Sequence, residues 1–277
     1  MFFDGFSLER VRGLRVRHGG SGPVVLLLHG HPRTHTTWWR VAPLLVDAGF
    51  TVVCPDLPGY GESVRTPRQT KREIAAELVA TMGELGFSEF AVVGHDRGSP
   101  CAHRLAVDHD VTALALMDGI PILEHLERCD ERFASSWWHW FFFAQTAKPA
   151  EDWIVRDPLA WYRASPEALG PENYEDWRRA VTNPEVIRAM VQEYRAGFEV
   201  DRFDEAADRS AARFVACPTL IAWSARDDLE ELYGDPVEVW RAWTLGPLSG
   251  VRIDSGHHMA EEAPDQLAGA LVPFLSS

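Results

Sequence analysis

The stretch that most constrains this chain is residues 94–98, which read Gly-His-Asp-Arg-Gly. It follows an apolar run at residues 90–93 and precedes a helical pattern that begins near Ser99. A Gly-x-nucleophile-x-Gly sequence between a strand and a helix is typical of a sharp turn that presents the central side chain, here Asp96. A carboxylate attacking a carbonyl gives a reactive anhydride, whereas at saturated carbon it displaces a leaving group or opens an epoxide. The aspartate therefore argues against esterase, lipase and protease chemistry.

A second turn, at residues 29–32 (His-Gly-His-Pro), follows the apolar run Val24–Leu28. Chains with such a nucleophile turn use the loop after this earlier strand to donate a backbone N–H to an oxyanion, together with the N–H after the nucleophile, here that of Arg97. Gly30 permits close approach of the backbone, and Pro32 stiffens the turn. We therefore expect an oxyanion-binding site between these two turns.

A histidine after the last strand completes the arrangement. His257 and His258 follow a short apolar stretch at residues 251–253, and we expect His257 to be the general base. Two carboxylates are candidates to orient its imidazole: Asp118 follows the strand after the turn's helix, and Asp227 follows the next strand. Asp227 lies in an acidic stretch that also reads as a solvated loop, so Asp118 is favoured.

Strand-like and helix-like segments alternate along most of the chain, which predicts an α/β fold with a mostly parallel, doubly wound sheet. The alternation stops after Pro121, and residues 122–214 show helical spacing with many aromatic and charged side chains. We predict a core of residues 1–121 and 215–277 and an inserted helical cap of residues 122–214. The aromatic run at residues 137–143 is too apolar for a free surface helix and is expected to pack the cap onto the core.

Composition limits the partners. The chain has 277 residues and a formal net charge of −14, which argues against nucleic acid or an anionic membrane surface as a partner. The four cysteines show no metal-binding spacing, so no metal or cofactor is predicted. Neither a signal peptide nor an apolar run long enough to span a membrane is evident. The expectation is a cytoplasmic protein that acts on a small molecule, with homodimer formation left open.

Six segments together resemble the fluoroacetate (haloacetate) dehalogenases of the α/β-hydrolase superfamily, whose nucleophile and triad positions are shared with epoxide hydrolases. They occur in the expected order over almost the whole chain. The segments are residues 29–32, 94–98, 118–121, 139–140, 193–197 and 255–257.

This resemblance implies a mechanism. Asp96 would attack the carbon that bears the halogen and form an ester, and His257, oriented by Asp118, would activate water to hydrolyse that ester. Arg97 would bind the substrate carboxylate. The family has a second carboxylate-binding arginine three residues later, where this chain has Pro100. The missing arginine removes a charged contact to the substrate carboxylate, so it bears directly on specificity for halo acids.

The resemblance also implies how the halide leaves. His139, Trp140 and Tyr194 would donate hydrogen bonds to the departing halide, whose developing charge needs such donors most in the transition state. His31 is placed among the substrate-binding residues, at a position where the family commonly has an aromatic side chain.

Three functions remain open, with hydrolytic dehalogenation of small 2-halo acids such as fluoroacetate or chloroacetate favoured. The alternative is an epoxide hydrolase, which would need Tyr194 and a second cap tyrosine, Tyr162 or Tyr174, to donate to the epoxide oxygen. The third is a non-catalytic protein of the same fold that binds a ligand, against which the intact set of Asp96, His257 and Asp118 argues.

Overall fold

An eight-stranded sheet forms the centre of the fold in the computed structural model, which describes residues 2–277. The strand order is β1-β2-β4-β3-β5-β6-β7-β8. Strands β3 to β8 run parallel, whereas β2 pairs antiparallel with both β1 and β4. The strands are β1 (Ser7–Val11), β2 (Leu14–Gly20), β3 (Val24–Leu28), β4 (Thr51–Pro55), β5 (Ala91–His95), β6 (Leu114–Met117), β7 (Thr219–Ser224) and β8 (Leu248–Ile253).

The central strands are apolar because helices cover both faces of the sheet. All residues of β4, β5 and β6 are buried, as parallel strands with two covered faces require. The helices of this core are α1 (Val41–Asp47), α2 (Lys71–Glu84), α3 (Gly98–Asp108), α13 (Leu229–Tyr233), α14 (Pro236–Arg241), α15 (Met259–Glu262) and α16 (Pro264–Leu275). The predicted doubly wound, mostly parallel sheet is confirmed.

The edge hairpin of β1 and β2 was not anticipated from the sequence. In β2 the apolar Leu14 and Val16 are buried, and they alternate with the partly exposed Arg15 and Arg17. β1 is exposed along most of its length. The period-two pattern is short and rich in arginine, so it gives a weaker signal than the buried apolar runs of the parallel strands.

Between β6 and β7 the chain is helical. The helices of this segment lie within residues 122–214, for which the sequence predicts a cap. None of the helices in the described part of the chain is long and apolar enough to cross a membrane. The segment contains α4 (Ile122–Glu127), α5 (Glu131–Ser136), α6 (Trp138–Phe143), α7 (Glu151–Ile154), α8 (Pro158–Tyr162), α9 (Pro166–Leu169), α10 (Pro171–Val181), α11 (Pro184–Ala196), a π-helical turn (Gly197–Asp201) and α12 (Arg202–Ser210).

The aromatic run of α6 packs in two directions. Trp140 and Phe143 are buried and belong to the same apolar cluster as side chains of the sheet, whereas Trp138 is 50% exposed. The aromatic residues thus join the helical segment to the core, as their apolar character predicts.

A buried carboxylate also ties the helical segment to the core. Glu261 of α15 accepts hydrogen bonds from the Arg33 guanidinium at 3.0–3.2 Å, from Thr37 Oγ1 at 2.9 Å and from Asn173 Nδ2 of α10 at 3.1 Å. Glu261 is 3% exposed and Arg33 is 6% exposed. Each charge is therefore compensated only by its protein partners, which makes the pair sensitive to the loss of either one.

Glu261→Gln should lower the free energy of unfolding by about 3–5 kcal/mol, because it leaves the Arg33 charge buried without a counter-charge. Urea denaturation followed by tryptophan fluorescence measures the change. Glu238→Gln is the matched control, since Glu238 pairs with Arg241 at an exposed site and its replacement should cost much less. Equal losses for the two variants would show that the buried pair does not anchor the structure.

Candidate active site

Asp96 lies on a strained turn between β5 and α3. Its φ angle is +50°, in the left-handed region that non-glycine residues seldom adopt. The flanking residues must be glycines because a side chain at either position would collide with the backbone. A Cβ atom on Gly94 would lie 2.3 Å from the Gly98 carbonyl oxygen, and one on Gly98 would lie 2.5 Å from the Leu28 carbonyl oxygen. The turn therefore holds the Asp96 carboxylate above the carboxyl ends of the parallel strands, as the Gly-x-Asp-x-Gly spacing predicts.

The loop after β3 contacts that carboxylate directly. The His31 backbone N–H donates to Asp96 Oδ1 at 2.6 Å. Gly30 lies so close that a Cβ atom there would be 2.4 Å from the Asp96 side chain. The two turns thus meet around one carboxylate oxygen, the arrangement expected of an oxyanion-binding site.

His257 faces Asp96 from the opposite side. Its Nε2 atom is 3.6 Å from Asp96 Oδ2, and its Nδ1 atom is bonded to Asp227 Oδ2 at 2.7 Å. Burial by itself would lower the pKa of His257, but the hydrogen bond to Asp227 and the nearby negative charge of Asp96 outweigh it and raise that pKa well above its ordinary value. The imidazole is held between two carboxylates, with one nitrogen directed at each.

The carboxylate that is hydrogen-bonded to His257 is not the one that was favoured from the sequence. Asp118 Oδ2 is 3.8 Å from His257 Nδ1, too far for a hydrogen bond, whereas Asp227 is within bonding distance. The reason is a competing partner: the backbone N–H of Ser224 donates to Asp118 Oδ1 at 2.7 Å, and the Ser224 hydroxyl donates to Oδ2. Burial raises the pKa of Asp118 to about 6. The preference for Asp118 over Asp227 is corrected by this geometry.

The two adjacent histidines have different surroundings. His257 has the contacts described above, whereas Nδ1 of His258 is buried and makes no hydrogen bond to any described residue. Burial lowers the pKa of His258 well below its ordinary value. His95 fixes the local backbone, because its Nε2 atom is 2.7 Å from the His257 carbonyl oxygen. The structure therefore places His257, and not His258, against Asp96.

A cavity of about 290 Å³ lies over these groups. It includes four side chains that the resemblance assigned to substrate binding: His31, His139, Trp140 and Tyr194. Burial lowers the pKa of His139 to about 4 and raises that of Tyr194, so at neutral pH both are uncharged hydrogen-bond donors. The remaining lining residues are Asp96, Ser136, Trp137, Asp227, Asp228, His257 and His258.

A larger space of about 960 Å³ adjoins this cavity and shares His31, His139 and His258 with it. Tyr162, one of the two tyrosines considered as a second donor, lines this outer space, and its ring lies 5.3 Å from that of His31. Tyr174, the other, packs on Trp177 instead, at 5.4 Å. Of the two, Tyr162 is thus the one near the site.

Arg97 is paired with a carboxylate inside the protein, and it is not among the residues that line the 290 Å³ cavity. Its Nε and Nη2 atoms donate to the Glu193 carboxylate at 2.7–3.1 Å, and the two side chains are almost completely buried. The guanidinium stacks behind the cavity wall, 4.2 Å from the ring centroid of Tyr194 and 4.9 Å from that of Trp140. Glu193 therefore competes with a substrate carboxylate for the Nε and Nη2 donors of Arg97, whereas Nη1 is bonded to no described residue. The role of Arg97 toward a substrate carboxylate stays a prediction.

Two acidic residues of the site were missed in the sequence. Glu193 lies beside Tyr194 in a recognised segment, but nothing in its spacing reveals a partner that lies 96 positions away. Asp228 accepts a hydrogen bond from Trp137 Nε1 at 2.8 Å and lines the cavity next to Asp227. Asp228 belongs to an acidic stretch that also reads as a solvated loop, which is why the pattern alone did not single it out.

Two triplets of side chains have metal-ligand atoms within 4.8 Å of one another: His95 with His257 and His258, and Asp118 with Asp227 and His257. His257 belongs to both, and its Nδ1 atom is already hydrogen-bonded to Asp227. The contacts fit a proton-transfer chain, and we assign these residues no metal-binding role.

Comparison with known proteins agrees with this architecture. The α/β-hydrolase fold family matches residues 23–264. The chain is 37% identical to a fluoroacetate dehalogenase from Burkholderia sp. over 93% of this chain and 88% of that protein. It is 27% identical to a soluble epoxide hydrolase from Corynebacterium sp. strain C12 over 96% and 95% of the two chains. A Pseudomonas aeruginosa structure provisionally assigned as an epoxide hydrolase superposes with a TM-score of 0.90 at 36% identity, covering 100% of this chain and 97% of that one. The chain belongs to the α/β-hydrolase family, among members similar to fluoroacetate dehalogenases and epoxide hydrolases.

Proposed function

We propose that this protein hydrolyses small electrophiles at saturated carbon through a covalent ester on Asp96. The observation that carries the proposal is the placement of a carboxylate, not a hydroxyl, on the strained turn, with the His257 imidazole 3.6 Å away. A carboxylate in this position forms a stable ester with an alkyl carbon, and a histidine paired with an acid can then deliver water to that ester.

The contacts suggest how the first step proceeds. Asp96 Oδ1 accepts the His31 N–H, which leaves Oδ2 to attack carbon. The carbon–oxygen bond of an epoxide, or the carbon–halogen bond of an alkyl halide, breaks as the new bond forms. His139 and Tyr194 face the cavity as neutral donors, where they stabilise the charge that develops on the leaving atom.

The second step releases the product. Neutral His257 removes a proton from water, and the resulting hydroxide adds to the Asp96 carboxyl carbon. Asp227 stabilises the imidazolium that forms. The negative charge on the former Oδ1 is stabilised by the His31 N–H. Collapse of this intermediate breaks the ester carbon–oxygen bond, and the proton of the added hydroxyl passes to the leaving product oxygen, which restores the carboxylate. The proton on His257 goes to the alkoxide left by epoxide opening or, where a halide has left, to solvent.

The charge of the site favours a neutral substrate, and epoxides are the class we propose. The cation nearest in sequence to the nucleophile, Arg97, is neutralised by Glu193, and Pro100 supplies no second cation. Asp227 and Asp228 add negative charge to the cavity wall. A carboxylate substrate would enter this site without a free counter-charge, at a substantial desolvation cost.

Hydrolytic dehalogenation of small halo acids is the second candidate. The observation in its favour is the 37% identity to a fluoroacetate dehalogenase, which exceeds the 27% identity to a soluble epoxide hydrolase. The same nucleophile, base and hydrogen-bond donors serve either reaction. The two candidates therefore differ in one property that experiment can isolate, the charge of the substrate.

Chloroacetamide and chloroacetate form a pair that isolates this property, because they share a leaving group and differ in charge. We expect chloroacetamide and styrene oxide to be hydrolysed with higher kcat/KM than chloroacetate, since Arg97 is already paired. Chloride release and diol formation, measured at the same pH and ionic strength, test this. A preference for chloroacetate, or release of fluoride from fluoroacetate with no epoxide turnover, would select the halo-acid candidate.

Asp96 should supply the oxygen found in the product. A single turnover in ¹⁸O-labelled water is expected to give mostly unlabelled product and label in the Asp96 carboxylate, as mass spectrometry of the product and of the peptide would show. His257→Asn should accumulate an ester adduct on the protein, whereas the adjacent control His258→Asn should not. Label in the first-turnover product would mean that water attacks the substrate directly.

Asp227→Asn should lower kcat by about 10³–10⁴-fold, because His257 loses the acceptor that fixes its tautomer and orientation. Asp118→Asn should cost much less. The His257 pKa is raised by these anions, so removing the Asp227 charge lowers it, and the acid limb of the kcat–pH profile should move to lower pH. A larger loss of kcat in Asp118→Asn than in Asp227→Asn would assign the orientation of His257 to Asp118.

A further inference from the structure

Four charged side chains form a buried cluster behind the aromatic wall of the cavity. Glu193 is fully buried, and Arg97, Lys71 and Asp201 are each no more than 3% exposed. Glu193 accepts two bonds from the Arg97 guanidinium and also contacts the Lys71 ammonium. Asp201 accepts from the Lys71 backbone N–H at 2.9 Å. The cluster contains two cations and two carboxylates, so its formal charges cancel.

The Arg97 end of this cluster is the part next to the reacting groups. Its guanidinium lies against the rings of Tyr194 and Trp140, and both of these residues also line the cavity over Asp96. Arg97 also borders a space of about 10 Å³, together with Asp96 and Pro100. An uncompensated charge on Arg97 would therefore act on a ligand in the cavity across a single layer of side chains.

Glu193 prevents that. Two parallel N–H···O bonds between guanidinium and carboxylate form a strong, directional pair, and burial keeps water from screening it. Nε and Nη2 both donate to Glu193, so a ligand carboxylate would have to use Nη1, which is bonded to no described residue. The Glu193 charge also offsets the positive charge of the guanidinium. No other buried carboxylate among the described residues is bonded to Arg97.

We infer that Glu193 is a specificity-determining residue, which excludes anionic substrates by neutralising Arg97. The inference rests on the proposed function, in which the substrate is neutral, and adds the residue that sets this preference. Loss of the Glu193 charge with its shape retained should turn Arg97 into an anion-binding group. Specificity between neutral and anionic electrophiles is then controlled from behind the cavity wall.

The test uses Glu193→Gln, which keeps the side-chain shape and removes its charge. Since this variant leaves Arg97 and Lys71 with one buried carboxylate between them, a second variant, Lys71→Met/Glu193→Gln, restores equal numbers of cations and carboxylates. Lys71→Met alone is the matched control, because it keeps Glu193 on Arg97. Circular dichroism and thermal unfolding check that each variant is folded.

Acetate and acetamide are the probes, since neither reacts and they differ in charge. Binding is followed by isothermal titration calorimetry or by the fluorescence of the tryptophans that line the cavity. The wild-type protein should bind acetamide at least as tightly as acetate. The double variant, and Glu193→Gln where it folds, should bind acetate roughly tenfold or more tightly than the wild type, with little change for acetamide. Lys71→Met should keep the wild-type order.

The same variants should lower KM for chloroacetate relative to chloroacetamide, with kcat changing less. Three results would overturn the inference. These are tighter binding of acetate than of acetamide by the wild-type protein, binding of acetate by the double variant no tighter than by the wild type, and a gain in affinity for acetamide in the double variant as large as the gain for acetate. These binding results do not depend on turnover. A wild type that hydrolyses no electrophile would defeat the proposed function, and the acetate titrations would still decide the role of Glu193.

Discussion

The close approach of three backbone segments around Asp96 is the constraint on which the rest of the site depends. β5 must turn sharply into α3, and the first residue of that helix touches the carbonyl end of β3, where any side chain on Gly98 would collide with Leu28. The same crowding forces Asp96 to a φ of +50° and brings Gly30 against its side chain. Strain of this kind persists only when the surrounding packing fixes it. The parallel sheet and its covering helices supply that packing, so the fold and the orientation of the carboxylate are inseparable.

The general position of the site could be predicted from the sequence because it depends on local patterns. Buried apolar runs marked the parallel strands, and the glycines around Asp96 and the histidine after β8 marked the strand ends that meet at one edge of the sheet. The partners of individual side chains depend instead on long-range packing. Asp118 and Asp227 follow the neighbouring strands β6 and β7, so their positions in the sequence suit either one as the hydrogen-bond partner of His257. Ser224, in β7, engages the first and leaves the second for His257, which no local pattern reveals.

Arg97 is a second side chain whose partner could not be predicted from the sequence, and its pairing affects which substrates the site can bind. An arginine directly after the nucleophile suggests an anion-binding group, and the motif that contains it gives no sign of an internal partner. Glu193 reaches it from α11, and the helix continues into a π-helical turn whose Gly197 lies close to the guanidinium: a Cβ atom there would be 3.6 Å from Nη2. The overall likeness to a dehalogenase and the local charge of the pocket therefore point to different substrates. Likeness over the whole chain mainly reflects the fold, whereas substrate charge is decided by a few contacts.

The arrangement of carboxylates around His257 also fits the order of the two steps in the proposed mechanism. In the resting protein the imidazole lies near Asp96, Asp118 and Asp227, and these anions raise its pKa despite burial. A protonated His257 stabilises the Asp96 carboxylate and holds the pKa of that group well below its usual range. In the proposed reaction, ester formation removes the negative charge of Asp96. The pKa of His257 then falls, because one of the anions that favoured its protonated form is gone. The imidazole becomes a base only after the nucleophile has reacted, which is when water must be activated.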